Sequence, residues 1–296
     1  MARIALSGAS GLVGARLAEA LGADGHRVLR LVRGSAAENE LQWDPARGRL
    51  DPARLAGLDA FIHLSGERVA GVRWTAARKQ EIAASRVVST TLVAETIARL
   101  TPRPALLCAS AIGYYGDRGG EWLEETSPAG QGFLADVCAQ WERACEPARA
   151  AGARVVNLRL GVVLDPNGGA LAPLALQHRL GLGGRVGPGT QWVSWITSAD
   201  VCAAARHILV TPALVGAVNL VAPQPVTNAE LSKALARALH RPAVLPLPAA
   251  LLRLALGEAA DGMLLASQRV RPAKLLASGF RFQDPELEPA LRKLLA

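Results

Sequence analysis

The sequence has few cysteines and histidines, the residues that form disulfides in small secreted domains or bind metal ions. It has five histidines, none in a His-x-x-x-His spacing, and four cysteines without a Cys-x-x-Cys pair: Cys108, Cys138, Cys145 and Cys202. Scattered cysteines are typical of a reducing compartment, where each packs as a small hydrophobe. We therefore expect neither a disulfide framework nor a dedicated metal site.

Long apolar runs and clustered charges are also missing. No run approaches the ~18 residues that span a bilayer, and the first residues lack the basic segment and cleavage site of a secretory leader. We therefore expect a soluble, cytoplasmic protein that does not bind membranes. The net charge is +8, but the arginines are dispersed and aromatic residues make up only 4% of the chain. Nucleic-acid binders concentrate positive charge with interleaved aromatics, so we expect no nucleic-acid partner.

What the sequence does contain is a repeated alternation of strand-like and helix-like segments. Half of the 296 residues are hydrophobic, which is enough for a substantial core. Short apolar runs occupy residues 2–7, 28–32, 58–64, 105–108 and 155–160. Between them, helical spacing covers residues 12–23, 75–100 and 133–151. This alternation predicts an α/β fold of the Rossmann type, a doubly wound parallel sheet with helices on both faces.

The second half of the chain differs from the first in composition and in predicted secondary structure. Residues 166–190 are rich in glycine, and the segment 226–296 reads as short helices broken by prolines. We assign residues 1–165 with 195–225 to a dinucleotide-binding domain, and residues 166–194 with 226–296 to a smaller C-terminal substrate lobe. Such a lobe would cover the carboxyl ends of the strands, where open α/β sheets bind ligands.

A glycine-rich turn joins the first predicted strand to the first predicted helix. It reads Gly8-Ala9-Ser10-Gly11-Leu12-Val13-Gly14. Gly8 permits a tight turn, Gly11 lets the backbone approach a pyrophosphate, and Gly14 allows the helix to pack closely on the strand. The helix N-terminus adds unpaired N–H groups. In this context the turn predicts a dinucleotide site rather than a merely structural turn, and its cofactor-binding residues are Gly8, Ser10, Gly11, Leu12, Val13 and Gly14.

The residue at the end of the second predicted strand indicates whether the site binds NADP(H) or NAD(H). An NAD site normally has an acidic residue there to bind the ribose 2′-hydroxyl. This chain has Leu31-Val32-Arg33-Gly34 instead. Arg33 can pair with a 2′-phosphate through charge-assisted hydrogen bonds, although it could also be a solvated residue that closes a strand. The sequence favours NADP(H) as the cofactor.

Several further motifs carry a resemblance to a known family. They are Leu64-Ser65-Gly66-Glu67, Arg73-Trp74, Ser85-Arg86, Trp141-Glu142, Arg159-Leu160-Gly161-Val162-Val163-Leu164, Leu180-Gly181-Leu182-Gly183-Gly184, Gln191-Trp192-Val193-Ser194-Trp195-Ile196 and Gln268-Arg269-Val270-Arg271-Pro272. With them, nearly the whole chain resembles the atypical, epimerase-like branch of the extended short-chain dehydrogenases/reductases, also labelled NAD-dependent epimerase/dehydratase-like or nucleoside-diphosphate-sugar epimerase-like. The resemblance implies that Leu64, Ser65 and Gly66 lie against the adenosine and ribose. It also implies that Glu81 and Arg86 face the cofactor, and that Val163 approaches the nicotinamide.

The usual catalytic pair of that superfamily is missing. A Tyr-x-x-x-Lys pair on a helix normally transfers the proton, since the lysine charge lowers the tyrosine pKa. Here no lysine follows either of the two tyrosines, Tyr114 and Tyr115, by four residues. Phe133 and Val137 stand where the resemblance places the pair, and neither can titrate. Hydride chemistry with the usual tyrosine acid is therefore excluded at that position.

Other residues are candidates for the chemistry. Ser110, Tyr114 and Tyr115 follow a strand that should border the nicotinamide, so we predict them as catalytic residues; alternatively one tyrosine packs and the other only contacts substrate. Arg185, Trp192 and Trp195 are predicted to bind substrate, because two indoles near a guanidinium suit a flat or sugar-like ligand. Core packing accounts for the tryptophans nearly as well.

Two functions remain open from the sequence. The first is an NADP(H)-dependent, epimerase-like oxidoreductase that acts on a small, sugar-like molecule with nonstandard acid–base residues. The second is a noncatalytic NADP(H)-binding sensor or regulatory protein that needs no substrate. Homodimers are usual for such folds, but nothing in the sequence fixes an interface.

Overall fold

The computed structural model describes residues 1–71 and 73–296. Its strands are β1 Arg3–Ser7, β2 Arg27–Val32, β3 Glu40–Gln42, β4 Ala60–His63, β5 Ala105–Ala111, β6 Trp122–Leu123, β7 Val155–Leu160, β8 Val162–Asp165, β9 Gly168–Gly169, β10 Trp192–Val193, β11 Trp195–Thr197, β12 Gly216–Leu220, β13 Val226–Thr227 and β14 Arg269–Val270. Its α-helices are α1 Leu12–Ala23, α2 Ala76–Ala98, α3 Phe133–Arg143, α4 Glu146–Ala150, α5 Leu171–Arg179, α6 Ser198–Val210, α7 Asn228–Leu239, α8 Ala249–Leu256, α9 Ala273–Ala277 and α10 Leu287–Leu295.

The largest sheet is parallel and has the strand order β12-β7-β5-β4-β1-β2-β3. The chain starts at the interior strand β1, next to the central strand β4, and winds outward in both directions. In register, Ser7 at the end of β1 pairs with Leu31 of β2 on one side and with His63 of β4 on the other. This order confirms the predicted Rossmann-type, doubly wound sheet. It also places a topological switch point at the carboxyl ends of β1 and β4, where ligands of such sheets bind.

Apolar residues cover both faces of the sheet. Side chains alternate along a strand, so Leu6 of β1 packs on one face with Leu17 of α1. Its neighbour Ala5 packs on the other face, in a cluster that includes Val93 and Ile97 of α2. A parallel sheet buried in this way explains why its strands read as continuous apolar runs in the sequence.

The helix predictions are confirmed for α1 and, within two residues, for α2. Thr75 begins α2 by accepting a hydrogen bond from the Arg78 N–H. The single helix predicted over residues 133–151 is wrong, because the chain forms α3 and α4 with a break between them. Pro147 lies at the start of α4. Since proline has no N–H and its ring clashes with the preceding turn, it kinks or breaks a helix, and here the helix breaks between Arg143 and Glu146.

A third core joins the glycine-rich segment to the C-terminal helices. Trp195 lies at its centre with Leu231 of α7 and Leu291 of α10. Asp200 in α6 holds the segment that precedes α10, since its carboxylate accepts a hydrogen bond from the Gln283 N–H at 2.8 Å. The proposed division into two domains stays a prediction. Over residues 1–71 and 73–296, no helix combines the length and apolarity needed to cross a bilayer.

Candidate cofactor-binding cleft

The glycine turn is a backbone cradle that side chains would fill. Gly8 has a φ of +73°, and a Cβ atom there would lie 2.8 Å from the Leu64 carbonyl group. A Cβ atom on Gly14 would lie 2.1 Å from the Gly8 carbonyl oxygen. Gly11 is the N-cap of α1 and has no side chain that could cap the helix. The first N–H groups of α1 therefore stay open to an anion.

A cavity of about 640 Å³ opens beside this cradle, at the switch point of the sheet. Its walls are the glycine turn, the end of β2, the segment after β3, the loop after β4 and one face of α2. The predicted cofactor residues that line it are Gly8, Ser10, Gly11, Arg33, Leu64, Ser65 and Gly66. Trp43 and Asp44 line it as well, and the sequence analysis missed them because they follow the short strand β3. The volume suits a nucleotide-sized ligand.

Arg33 stands exposed at the mouth of this cavity. Its Nη1 atom lies 4.0 Å from Glu67 Oε1, and its side chain is 82% exposed. Arg78 of α2 approaches the other oxygen of Glu67, at 3.8 Å. Arg30 also lines the cavity. The mouth therefore carries the guanidinium groups of Arg30 and Arg33 together with the carboxylates of Glu40, Asp44 and Glu67. The exposed Arg33 guanidinium can donate charge-assisted hydrogen bonds to an anionic group of a ligand there.

Two residues that the resemblance assigns to the cofactor lie on α2. Arg86 donates to the Glu67 carbonyl oxygen at 3.0 Å and lies over the Trp141 ring. It therefore fixes the loop that lines the cavity. Glu81 pairs with Arg78 at 2.9 Å and is exposed. The face of α2 that lines the cavity is formed instead by Ala84, Ser85, Val88 and Ser89.

The remaining predicted cofactor residues lie outside the lining of this cavity. The Leu12 side chain faces the β8–β9 hairpin, 3.1 Å from where a Cβ atom on Gly168 would lie. Val13 and Val163 pack against the core of the sheet. Gly14 contributes by letting α1 approach the turn. The direct contacts predicted for Leu12, Val13 and Val163 stay predictions.

A buried histidine supports the floor of the site. His63 Nδ1 lies 2.6 Å from Ser7 Oγ, and its Nε2 lies 3.1 Å from Ser89 Oγ. The ring has no exposed surface. Burial penalises the charged imidazolium and lowers the pKa of His63 to about 3.

This buried histidine should make the stability of the protein sensitive to acid. The unfolded chain protonates His63 near its ordinary pKa of 6.5, whereas the folded chain keeps it neutral down to about pH 3. Between these values acid favours the unfolded state, and this one group lowers the free energy of unfolding by up to about 1.4 kcal/mol per pH unit. Urea unfolding across this pH range should show a shallower pH dependence for His63→Gln. Equal slopes in the two proteins would contradict the expectation.

The predicted catalytic residues belong to a buried hydrogen-bonded network. Ser110 Oγ donates to Glu142 Oε1 at 2.8 Å. Arg159 forms two bonds with the Glu142 carboxylate, at 2.8 and 2.9 Å. Arg159 also donates to the Tyr115 hydroxyl at 2.9 Å, and that hydroxyl donates to Asn219 Oδ1 at 2.7 Å. Glu142 and Arg159 were missed as functional residues, although both stand in motifs that carry the family resemblance.

The network leaves Tyr114 as the accessible phenol. Burial raises the pKa of Tyr115 to about 12, more than the Arg159 charge lowers it. Burial alone would lower the pKa of Arg159, but the hydrogen bonds and charge of Glu142 raise it above its usual value. Ser110 and Tyr115 have almost no exposed surface. Tyr114 is half-buried, and the Arg159 guanidinium lies 3.5 Å from its ring centre.

The two positions expected for the usual tyrosine–lysine pair hold the apolar residues Phe133 and Val137. Phe133 opens α3 and packs edge-on against Trp74, with ring centres 5.0 Å apart. Lys79 of α2 places its Nζ atom 5.2 Å from the Phe133 ring. Val137 is buried in the same cluster as Trp74. Neither Phe133 nor Val137 can transfer a proton.

The three predicted substrate residues do not come together. Trp195 has no exposed surface, and its indole N–H donates to the Gln224 carbonyl oxygen at 3.0 Å. Arg185 is exposed and donates to the Pro188 carbonyl oxygen. Trp192 is half-buried, and its guanidinium partner is Arg269 at 4.1 Å. Core packing, the alternative that the sequence left open, therefore describes Trp195 as the structure places it.

Comparison with known proteins identifies relatives of this chain. Residues 4–220 match the NAD dependent epimerase/dehydratase family, and residues 247–294 match a domain of unknown function, DUF1731. The epimerase family protein Mb2239 of Mycobacterium bovis is 43% identical over 289 residues, which cover 97% of this chain and 96% of the relative.

Two solved structures resemble the chain along almost its whole length. The human epimerase family protein SDR39U1 (isoform 2), crystallised with NADPH, superposes with a TM-score of 0.90 at 33% identity and covers 99% of this chain and 98% of its own. A nucleoside-diphosphate sugar epimerase from Corynebacterium glutamicum superposes with a TM-score of 0.84 at 36% identity, and the match covers 99% of this chain and 58% of that one. Together with the doubly wound sheet and its glycine cradle, these matches show that the chain belongs to the NAD-dependent epimerase/dehydratase family.

Proposed function

We propose that this protein is an oxidoreductase. It binds NADPH in the cavity at the switch point and uses this cofactor to reduce a small molecule. The observation that carries the proposal is the uncapped N-terminus of α1, which opens through the glycine cradle into a cavity with Arg33 at its mouth. The pyrophosphate oxygens would accept hydrogen bonds from the free N–H groups of α1. The adenosine would lie along Leu64, Ser65 and Gly66.

The choice of NADPH over NADH rests on the charges at the mouth. A 2′-phosphate would meet Arg33 at the end of β2, where NAD sites carry an acidic residue. The human relative was crystallised with NADPH, and this supports the same choice here. On binding, Arg33 would exchange its distant contact with Glu67 for a charge-assisted bond to phosphate.

Replacing Arg33 with alanine should weaken NADPH binding at least tenfold, about 1.4 kcal/mol. NADH lacks the 2′-phosphate, so its affinity should be nearly unchanged. Fluorescence titration with NADPH, NADP⁺, NADH and NAD⁺ measures both effects. Arg103→Ala is the matched control, because Arg103 precedes β5 and lies at the opposite, amino-terminal edge of the sheet. If no dinucleotide binds the wild-type protein, the proposal fails.

The proton for such a reaction would come from Tyr114. Ser110 and Tyr115 are both buried and hydrogen-bonded within the network around Arg159, whereas Tyr114 is only half-buried. The Arg159 guanidinium lies over its ring, 3.5 Å from the ring centre, and places a positive charge beside the phenol. Glu142 would act as a positioning residue, since it holds the Nε and Nη2 atoms of Arg159 through two hydrogen bonds.

The burial of Ser110 and Tyr115 favours a second function, that of a noncatalytic NADPH-binding sensor or regulatory protein. Two of the three predicted catalytic hydroxyls are sequestered, and Phe133 occupies the place of the usual acid. Oxidation of bound NADPH in the presence of small carbonyl compounds separates the two functions. Turnover supports the oxidoreductase, whereas binding without turnover across a broad panel supports the sensor.

A further inference from the structure

Two small sheets hold an arginine between two tryptophans, and we call this group the Trp122–Arg269–Trp192 stack. Trp122 of β6 pairs in register with Arg269 of β14. The Arg269 guanidinium carbon lies 4.0 Å from the Trp122 ring and 4.1 Å from the Trp192 ring. Indole faces attract a guanidinium through their quadrupoles. The cation is thus fixed in position before any ligand arrives.

The stack contains a positive charge that lacks a counter-charge. Arg269 Nε is buried without a hydrogen-bond partner. Within the part of the chain that the structure describes, no carboxylate lies within 4.0 Å of this guanidinium, although Arg271, two residues on, pairs with Glu124 at 3.5 Å. A cation partly withdrawn from water without an opposite charge favours the binding of an anion.

The geometry suits a ligand that carries both an oxyanion and a ring. A guanidinium can donate two parallel hydrogen bonds to a carboxylate or phosphoryl group. Because the indoles already restrict the side chain, binding costs little additional rotamer entropy. Trp122 is 48% exposed, so part of its ring remains available to stack on a sugar or other ring.

We propose that the Trp122–Arg269–Trp192 stack is a binding site for the phosphoryl or carboxylate group of a small molecule. None of its three residues belongs to the lining of the cofactor cavity, so the site is separate from the one proposed for NADPH. It does not depend on that proposal and can fail or succeed without it.

The test is a titration of the full chain with inorganic phosphate and, separately, with malonate, each against chloride at equal ionic strength. Tryptophan fluorescence should change in a saturable way, because two indoles border the site. Arg269→Gln should weaken this binding at least tenfold. Arg271→Gln, which removes a neighbouring arginine outside the stack, should leave it unchanged. Saturation by phosphate alone assigns the site to phosphoryl groups, and saturation by malonate alone assigns it to carboxylates.

A second variant tests the proposal even if Arg269→Gln misfolds. Trp122→Leu keeps the guanidinium but removes one face of the stack, so anion binding should weaken severalfold while circular dichroism stays unchanged. A wild-type signal that never saturates, or the same affinity in wild type and Arg269→Gln, would overturn the proposal.

Discussion

Replacing Gly14 with alanine should lower NADPH affinity at least a hundredfold, about 2.7 kcal/mol. The new Cβ atom would lie 2.1 Å from the Gly8 carbonyl oxygen, and backbone atoms at this contact cannot rotate away. The N-terminus of α1 must therefore move off the turn. That movement displaces the free N–H groups from the place where pyrophosphate would bind.

Gly22 provides the matched control in the same helix. A Cβ atom on Gly22 would meet nothing within 4 Å, and alanine has the higher helix propensity by up to about 1 kcal/mol. Gly22→Ala should therefore bind NADPH as wild type and unfold at the same or a higher temperature. Titration of both variants, with circular dichroism as a check of folding, decides the matter. Wild-type affinity in a folded Gly14→Ala would mean that the glycine turn does not hold the cofactor.

The sequence predicted this part of the site well because its determinants are local. Seven consecutive residues, 8–14, specify a strand end, a turn and a helix start, and each glycine has a steric reason that needs no distant partner. The alternating periods of the flanking segments likewise specify the doubly wound sheet. The switch point then follows from the strand order alone.

The substrate residues were harder to predict because their partners lie far along the chain. Trp192 and Trp195 are three residues apart in an extended segment, where an odd separation puts side chains on opposite faces. Trp192 therefore reaches Arg269, while Trp195 enters the core with Leu231. The pairing of β6 with β14, which brings Trp122 to the same arginine, leaves no periodic signal in the sequence.

The ion pair of Arg159 with Glu142 was missed for a related reason. Arg159 lies on β7 and Glu142 on α3, and only the packing of that helix on the sheet brings them together. The sequence showed both residues within family motifs but gave no indication that they pair. Their contact also explains why Ser110 and Tyr115 are not exposed, since the network holds both inside.

Breaking this buried pair should destabilise the protein strongly. The side chains of Arg159 and Glu142 are only 4% and 14% exposed. Arg159→Met would leave the Glu142 carboxylate buried without its counter-charge, at a cost of about 3–5 kcal/mol in the free energy of unfolding. Urea unfolding measures this loss. Arg292→Met is the control, because Arg292 is 68% exposed beside Glu288 and its removal should change stability by at most about 1 kcal/mol.

The double variant Arg159→Met/Glu142→Leu separates stability from positioning. Replacing both charges by apolar side chains of similar size removes the uncompensated carboxylate, so most of the lost stability should return. If Arg159→Met alone is no less stable than Arg292→Met, the pair is not buried as the structure shows. If the double variant matches the wild type in stability, the pair contributes little net stability. Its role would then be to hold Ser110 and to keep the guanidinium over Tyr114, 3.5 Å from the ring centre.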